Sequence, residues 1–233
     1  MPVNKETYLS IKKELDEKQV TLVAVSKTKP IEDIFELYKL GQRDFGENYV
    51  QELADKAAQL PNDIRWHFIG HLQTNKVKLI APFVQLIHGV DSLKLLKEIN
   101  KEGEKSSRII DCLLQVHIAQ EETKFGLDEE ELTLIIGQSD NLKMGNLKIS
   151  GLMGMASFTD DMELVRNEFR KLKILFDKLA TPGLIVIGSR ADSYRVPALS
   201  MGMSSDYRIA VEEGSTMVRI GSLLFGERTG NRQ

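Results

Sequence analysis

Two stretches of this chain hold side chains able to do chemistry. The first reads Val23-Ala-Val-Ser-Lys27-Thr-Lys29-Pro30. Alternation of period two puts Val23, Val25 and Lys27 on one face of a strand. If that face is the inside of a barrel, Lys27 stands at the mouth with its stem in apolar surroundings. Burial disfavours an ammonium ion, and a neutral amine condenses with aldehydes to a Schiff base. A lysine that merely ends a strand and reaches solvent satisfies the same pattern. Lys29, in the following loop, is a helper charge or a surface residue.

The second stretch comprises Leu199-Ser200-Met201-Gly202-Met203-Ser204, then Ser205 and Asp206, and a segment from Gly214 to Gly221 followed by Ser222. Gly202 and Gly221 fall just past two apolar runs. Ser204 or Ser205 is placed to cap a helix N-terminus, whose free N–H groups and dipole attract an anion. Glycine lets the backbone approach a phosphate, and hydroxyls add hydrogen bonds. Taken singly, each residue is ordinary turn chemistry; two such loops together point to a phosphate. Arg219 alternates with Val218 and Ile220, so it faces a polar ligand or pairs with an acidic neighbour.

Weaker candidates follow. Asn48, just past Phe45-Gly46-Glu47, hydrogen-bonds a ligand or caps the next helix. His67 and His71 are four apart across a strand end and a loop, with no third ligand nearby, so no metal site is expected. Trp66 and His67 are expected to line the barrel instead. Met144, Met153, Met155, Met201 and Met203 read as core filler. Neither the Walker A nor the Rossmann glycine fingerprint occurs, which argues against nucleotide hydrolysis or a dinucleotide cofactor.

These residues need a frame to hold them. Strands are expected at Thr21–Val25, Arg43–Phe45, Ile64–Ile69, Phe83–Ile87, Ile110–Ile118, Leu147–Met153, Ala198–Met201 and Thr216–Ile220. Helices are expected at Ile31–Leu40, Tyr49–Leu60, Asn75–Ile80, Leu93–Glu102, from Asp128 to about Gly137, Met162–Leu179 and Asp206–Glu213. Strict alternation requires right-handed crossovers and a parallel sheet. Eight units predict a single-domain α/β fold, a (β/α)8 TIM barrel over about 20–228 within 1–233. Periodicity alone leaves an open doubly wound sheet as the alternative. An extra N-terminal helix, about 1–18, presents Tyr8, Ile11 and Leu15 on one face. The Leu184–Ile187 run also has strand character and is read as an insertion.

Composition narrows the class. The 233 residues are 42% hydrophobic and 28% charged with net charge −3, ordinary globular values that predict no nucleic-acid partner. One cysteine, Cys112, forbids an intrachain disulfide and predicts a reducing, cytoplasmic setting. No apolar run of about 18 residues exists, so no membrane span is expected.

Taken together, Ala24-Val-Ser-Lys-Thr-Lys-Pro30, Phe45-Gly-Glu-Asn-Tyr-Val-Gln-Glu52, Trp66-His-Phe-Ile-Gly70, Leu199-Ser-Met-Gly-Met-Ser204 and Gly214-Ser-Thr-Met-Val-Arg-Ile-Gly221 resemble the YggS/PROSC family of pyridoxal 5′-phosphate (PLP) homeostasis proteins. The resemblance runs in order from about residue 20 to residue 228. It implies a barrel like the N-terminal domain of alanine racemase, with PLP as cofactor on Lys27 as a Schiff base. Arg219 is implied at the pyridine nitrogen and Gly221 at the phosphate, with Ser200, Ser204 and Ser222 in the same loops and Asn48 and His67 as further contacts.

Three readings follow. The first is a non-catalytic carrier that holds PLP and supplies it to apo-enzymes, expected as a monomer. The second is a PLP enzyme of the racemase or decarboxylase type, and the third a class I aldolase-like enzyme using Lys27 without PLP. Racemisation needs a proton donor or acceptor on each face of the cofactor. With only about ten residues after Gly221, the second, β-rich domain of the two-domain racemases is not expected, which favours the carrier.

Overall fold

The computed structural model describes residues 3–120, 125–139, 144–180 and 197–227. Helix α1 (Lys5–Glu17) leads into β1 (Thr21–Val25), α2 (Ile31–Lys39), β2 (Asp44–Glu47), α3 (Val50–Ala57) and β3 (Arg65–Phe68). A 3₁₀ turn (Thr74–Lys76) runs into α4 (Val77–Ile80), followed by β4 (Leu86–Val90), α5 (Leu93–Lys105), β5 (Ile110–Gln115) and α6 (Glu129–Ser139). Then come β6 (Leu147–Met153), α7 (Met162–Ala180), β7 (Ala198–Ser200), α8 (Tyr207–Glu212), β8 (Met217–Ile220) and α9 (Ser222–Phe225). Each strand runs parallel to the next, and β8 returns to β1 with Arg219 opposite Val23. The sheet is therefore a closed (β/α)8 barrel, not an open one.

Strands β4 and β5 are buried along their whole length, as a strand with helices on one face and a barrel interior on the other must be. Two apolar cores result. Val23, Leu86, Leu113, Met153, Ala198 and Met217 fill the inside of the barrel. The larger core, including Phe45, Phe68, Phe169 and Phe225, lies between sheet and helices. Helix α5 shows how the sequence builds that layer. Ser92 caps it by accepting from the Leu95 N–H at 3.3 Å, and Leu95, Leu96 and Ile99 form its buried stripe. Helix α1 buries Tyr8, Ile11 and Leu15, the three residues expected on one face. The Asn4 N–H donates to the Leu224 carbonyl at 2.8 Å, which ties α1 to α9.

The β5–β6 register shifts between Cys112 and Leu113, leaving Gly151 opposite Leu113. Gly151 has φ +152°, and a Cβ there would lie 1.8 Å from the Ala198 carbonyl oxygen. Only glycine fits where the bulged strand meets its neighbour so closely.

Some boundaries differ from expectation. Strand β4 begins three residues later than Phe83. The Phe83 and Val84 N–H groups donate to the Ile80 carbonyl at 3.1 and 2.8 Å, so these residues complete a helical turn. His88 and Gly89 thereby become strand residues. Strand β5 stops at Gln115, because His117 and Leu127 exchange bonds with a returning loop: His117 N–H to the Leu127 carbonyl and Leu127 N–H to the Gln115 carbonyl. Helix α9 was not expected. Leu184–Ile187 lies outside the described residues. Among the described residues no helix is long and apolar enough to cross a membrane.

Candidate functional site

A cavity of about 580 Å³ opens at the C-terminal ends of the strands, a size suited to a small ligand. Lys27, Asn48, Ser204, Arg219, Gly221 and Ser222 all line it. The structure thus brings six of the eight expected residues together, from the loops after β1, β2, β7 and β8. His67 and Ser200 do not line it; both are fully buried among the strands. Ser205, Ile69, Met155 and Met203 complete much of the wall. Met155 and Met203 are therefore site residues, whereas Met144, Met153 and Met201 are buried core.

Lys27 follows β1 on the face shared with Val23, which belongs to the barrel interior. The adjoining Lys29 is half-buried, and its amine is held rather than at large. Its Nζ donates to the carbonyls of Phe225 at 2.8 Å and Gly226 at 3.1 Å, drawing the β1 loop against the end of α9. Asn48 does not cap α3, whose N-cap is Tyr49.

The two late loops are joined differently from the capping expected. The N-cap position of α8 is Asp206, whose side chain makes no capping bond; its Oδ1 accepts the Met203 N–H in the preceding turn at 2.5 Å. Ser204 instead accepts the Gly221 N–H at 3.2 Å, so its hydroxyl links the β7 and β8 loops. Ser205 and Ser222, from the same two loops, line the cavity with it.

Arg219 is buried, with only 4% of its surface exposed. Its NH1 donates to the Ser200 carbonyl at 2.8 Å and to Ser200 Oγ at 2.6 Å; its NH2 donates to the Gly154 carbonyl at 3.1 Å. Among the described residues no carboxylate forms an ion pair with it, so the acidic neighbour considered from sequence is not found at contact range. Burial holds its pKa down to about 10, with Asp206 partly offsetting. The group is still a cation at neutral pH. A buried cation held by neutral acceptors favours an electron-rich group arriving in the cavity beside it.

Behind Arg219 lies a row of side chains that the sequence analysis did not assemble. Ser200 Oγ meets His88 Nδ1 at 3.0 Å, His88 Nε2 meets His67 Nδ1 at 2.9 Å, and His67 Nε2 meets Asp44 Oδ1 at 3.0 Å. Arg65 closes the row, donating to both oxygens of Asp44 at 2.7 and 2.5 Å. Arg219 can only donate and ionised Asp44 can only accept. With both rings neutral, one polarity is consistent: Arg219 to Ser200, Ser200 to His88, His88 to His67, His67 to Asp44. Burial above all holds the His88 pKa well below the histidine range; a proton on His67 and the Arg219 cation both oppose a second positive charge there. Bonds from Arg65 and His67 outweigh burial and keep Asp44 well below the carboxylate range. His67 therefore supports Arg219 from the barrel interior. Trp66, its neighbour, faces outward and packs near Phe45 with ring centroids 6.1 Å apart, as period two demands. His71 is elsewhere again, stacked on Phe125 with its Nδ1 3.3 Å from Asp91.

Comparison with known proteins adds to this geometry. The family model described as alanine racemase, N-terminal domain, matches residues 5–229. A pyridoxal phosphate homeostasis protein of Aquifex aeolicus is 44% identical over 208 residues, covering 89% of this chain and 86% of that protein. The human pyridoxal phosphate homeostasis protein is 44% identical over 220 residues, covering 90% of this chain and 77% of its own. Among solved structures, PipY of Synechococcus elongatus with PLP bound superposes with a TM-score of 0.81 at 33% identity, covering 95% and 99% of the two chains. Alanine racemase of Clostridium difficile shares the fold alone, with a TM-score of 0.72 at 14% identity over 99% of this chain and 60% of that one.

Proposed function

Because this chain belongs to the pyridoxal phosphate homeostasis protein family, built on the alanine racemase N-terminal barrel, we propose that it holds PLP covalently on Lys27 and supplies it to apo-enzymes without amino-acid catalysis of its own. The observation that carries this reading is one cavity joining a lysine from β1, a buried arginine from β8 and serine donors from the last two loops.

That donor set fits the cofactor. PLP brings one aldehyde, whose carbon the Lys27 nitrogen attacks, with water leaving as the aldehyde oxygen and the two amine hydrogens. Ser204, Ser205, Ser222 and the backbone after Gly221 are suited to the phosphate. Arg219 presents its remaining N–H groups to the ring, and Asn48 is within the same wall. Localisation in the cytoplasm fits a single buried thiol, Cys112, and a reducing environment.

The carrier reading rests on what else lines the cavity. Among the described lining residues the titratable groups are Lys27, Lys29 and Arg219, and Lys29 is occupied by backbone carbonyls. No histidine, tyrosine or carboxylate stands there to serve the face opposite Lys27. Borohydride reduction after incubation with PLP, followed by peptide mass mapping, tests the attachment. The pyridoxyl mass is expected on the Lys27 peptide; a label confined to Lys29 or to outer lysines overturns the assignment.

A further inference from the structure

A cluster beneath the β1 loop is used by nothing described so far. Lys56, on α3, is buried, with 7% of its side chain exposed. Its Nζ donates to three acceptors: the Ser26 carbonyl at 2.8 Å, Glu47 Oε1 at 2.8 Å and Glu52 Oε1 at 2.6 Å. That uses every proton an ammonium has. Glu52 Oε1 also accepts the Thr28 N–H at 2.6 Å, and Glu47 Oε1 accepts the Ser26 hydroxyl at 2.6 Å.

Lys27 therefore sits between two anchored groups. The carbonyl before it is held by Lys56, and the N–H after it by Glu52. The turn itself is unfavourable for the chain. Thr28 has φ +64°, a left-handed value that costs a β-branched residue about 1–3 kcal/mol. A turn of that kind persists only where its surroundings impose it. Burying the Glu47–Lys56 pair is also expensive, and its Glu47 Oε2 has no hydrogen-bond partner. Buried ion pairs seldom repay their desolvation in stability, so stability alone is a poor reason for this one.

We propose that Glu47, Lys56 and Glu52 are positioning residues for Lys27: they impose the turn that aims its amine into the cavity. The proposal rests on the PLP reading above and assigns a task to three residues, none of which lines the cavity.

The test separates attachment from binding. Two ligands are used: PLP, and 4-deoxypyridoxine 5′-phosphate, which keeps ring and phosphate but has no aldehyde. Glu52→Ala removes the Thr28 anchor at a side chain that is 23% exposed. It is expected to lower the equilibrium constant for the borohydride-trapped Lys27 adduct roughly tenfold, the effect of losing one charge-assisted hydrogen bond. Affinity for the deoxy analogue is expected to stay within about twofold, since ring and phosphate contacts lie elsewhere. Glu52→Gln keeps an oxygen acceptor for Thr28 and is expected to restore most of the adduct. Lys56→Met, checked for folding by its thermal melt, is expected to act in the same direction and more strongly. Equal losses for both ligands would mean a general loss of structure, and unchanged adduct in Glu52→Ala would mean that the anchors do not matter; either overturns the proposal. Absence of a Lys27 adduct in the unsubstituted protein strikes the PLP reading first and the proposal with it.

Discussion

With both rings neutral, His88 accepts from Ser200 and donates to His67, and few side chains can do both in one buried position. Replacing it by leucine strands the Ser200 hydroxyl and His67 Nδ1 together. Two unsatisfied buried groups predict a loss of about 2–4 kcal/mol. Glutamine offers an acceptor and a donor at similar reach, so His88→Gln is expected to lose less than half as much. Urea unfolding of the three proteins at pH 7 measures this. The same comparison carries a pH signature. The folded pKa of His88 lies below the ordinary 6.5, so as pH falls beneath that value the unfolded chain takes up a proton that the folded chain refuses. Stability is then lost with acidification, at up to about 1.4 kcal/mol per pH unit. His88→Gln lacks this contribution, and its deficit should narrow between pH 7 and pH 5.5. A gap that is constant with pH would show that His88 is not held neutral. Asp44 works in the same direction at lower pH. Its folded pKa is depressed, so its contribution is complete above the ordinary aspartate range and disappears as pH falls below it.

At the scale of elements, the cavity depends on how the β7 and β8 loops are sewn together. The Gly221 N–H and Ser204 Oγ make that stitch, and β1 packs close behind it. A Cβ on Gly221 would lie 3.2 Å from the Val25 carbonyl oxygen and 3.3 Å from Val25 Cβ. Gly221→Val therefore pushes the turn off β1 and pulls the Ser204 link apart. If the phosphate sits in these loops, PLP affinity should fall roughly 10–100-fold, the equivalent of one or two charge-assisted bonds. Pyridoxal, without the phosphate, should lose much less; equal losses in paired titrations would place the phosphate elsewhere. The loop residues were legible in the sequence because glycine, serine and an arginine inside an apolar strand are each locally unusual. The parallel β/α arrangement was legible too, from alternation, whereas closure of the eight strands into a barrel is seen only in their pairing. What escaped was set by distance. Ending β4 at Ile87 left His88 in a loop, so its inward direction, shared with Leu86, went unseen. Lys56 reads as one more charge on an amphipathic helix, and only the packing of α3 against the β1 loop gives it three acceptors.

For the molecule as a whole, one architecture serves two kinds of protein: the pyridoxal phosphate homeostasis family and racemases with the same barrel. What distinguishes them must lie in what surrounds the cofactor rather than in the barrel. Exchanging the α-proton of an amino acid requires a base on one side of the reacting carbon, and inversion requires an acid on the other. Among the described residues Lys27 and Lys29 are the lysines that line the cavity, and Lys29 is tied to the carbonyls of α9 and the loop beyond it. Arg219, fixed by Ser200 and backed by neutral His88, remains a donor and a cation at neutral pH. If Arg219 faces the pyridine nitrogen, as proposed, its cation disfavours protonation there, which leaves the ring a weaker sink for electrons from the α-carbon. Among the described lining residues no opposite-face acid or base stands, a lack worth roughly 10²–10⁴-fold in rate. The protein loaded with PLP should therefore exchange the α-proton of alanine in deuterated water no faster than Lys27→Ala plus free PLP, within about tenfold of that background. It should at the same time transfer PLP to an apo-enzyme, scored by recovery of that enzyme's activity. Rapid, Lys27-dependent exchange at enzyme-like turnover would return the barrel to the racemase class, and the search for the second acid or base would move to groups outside the cavity wall described.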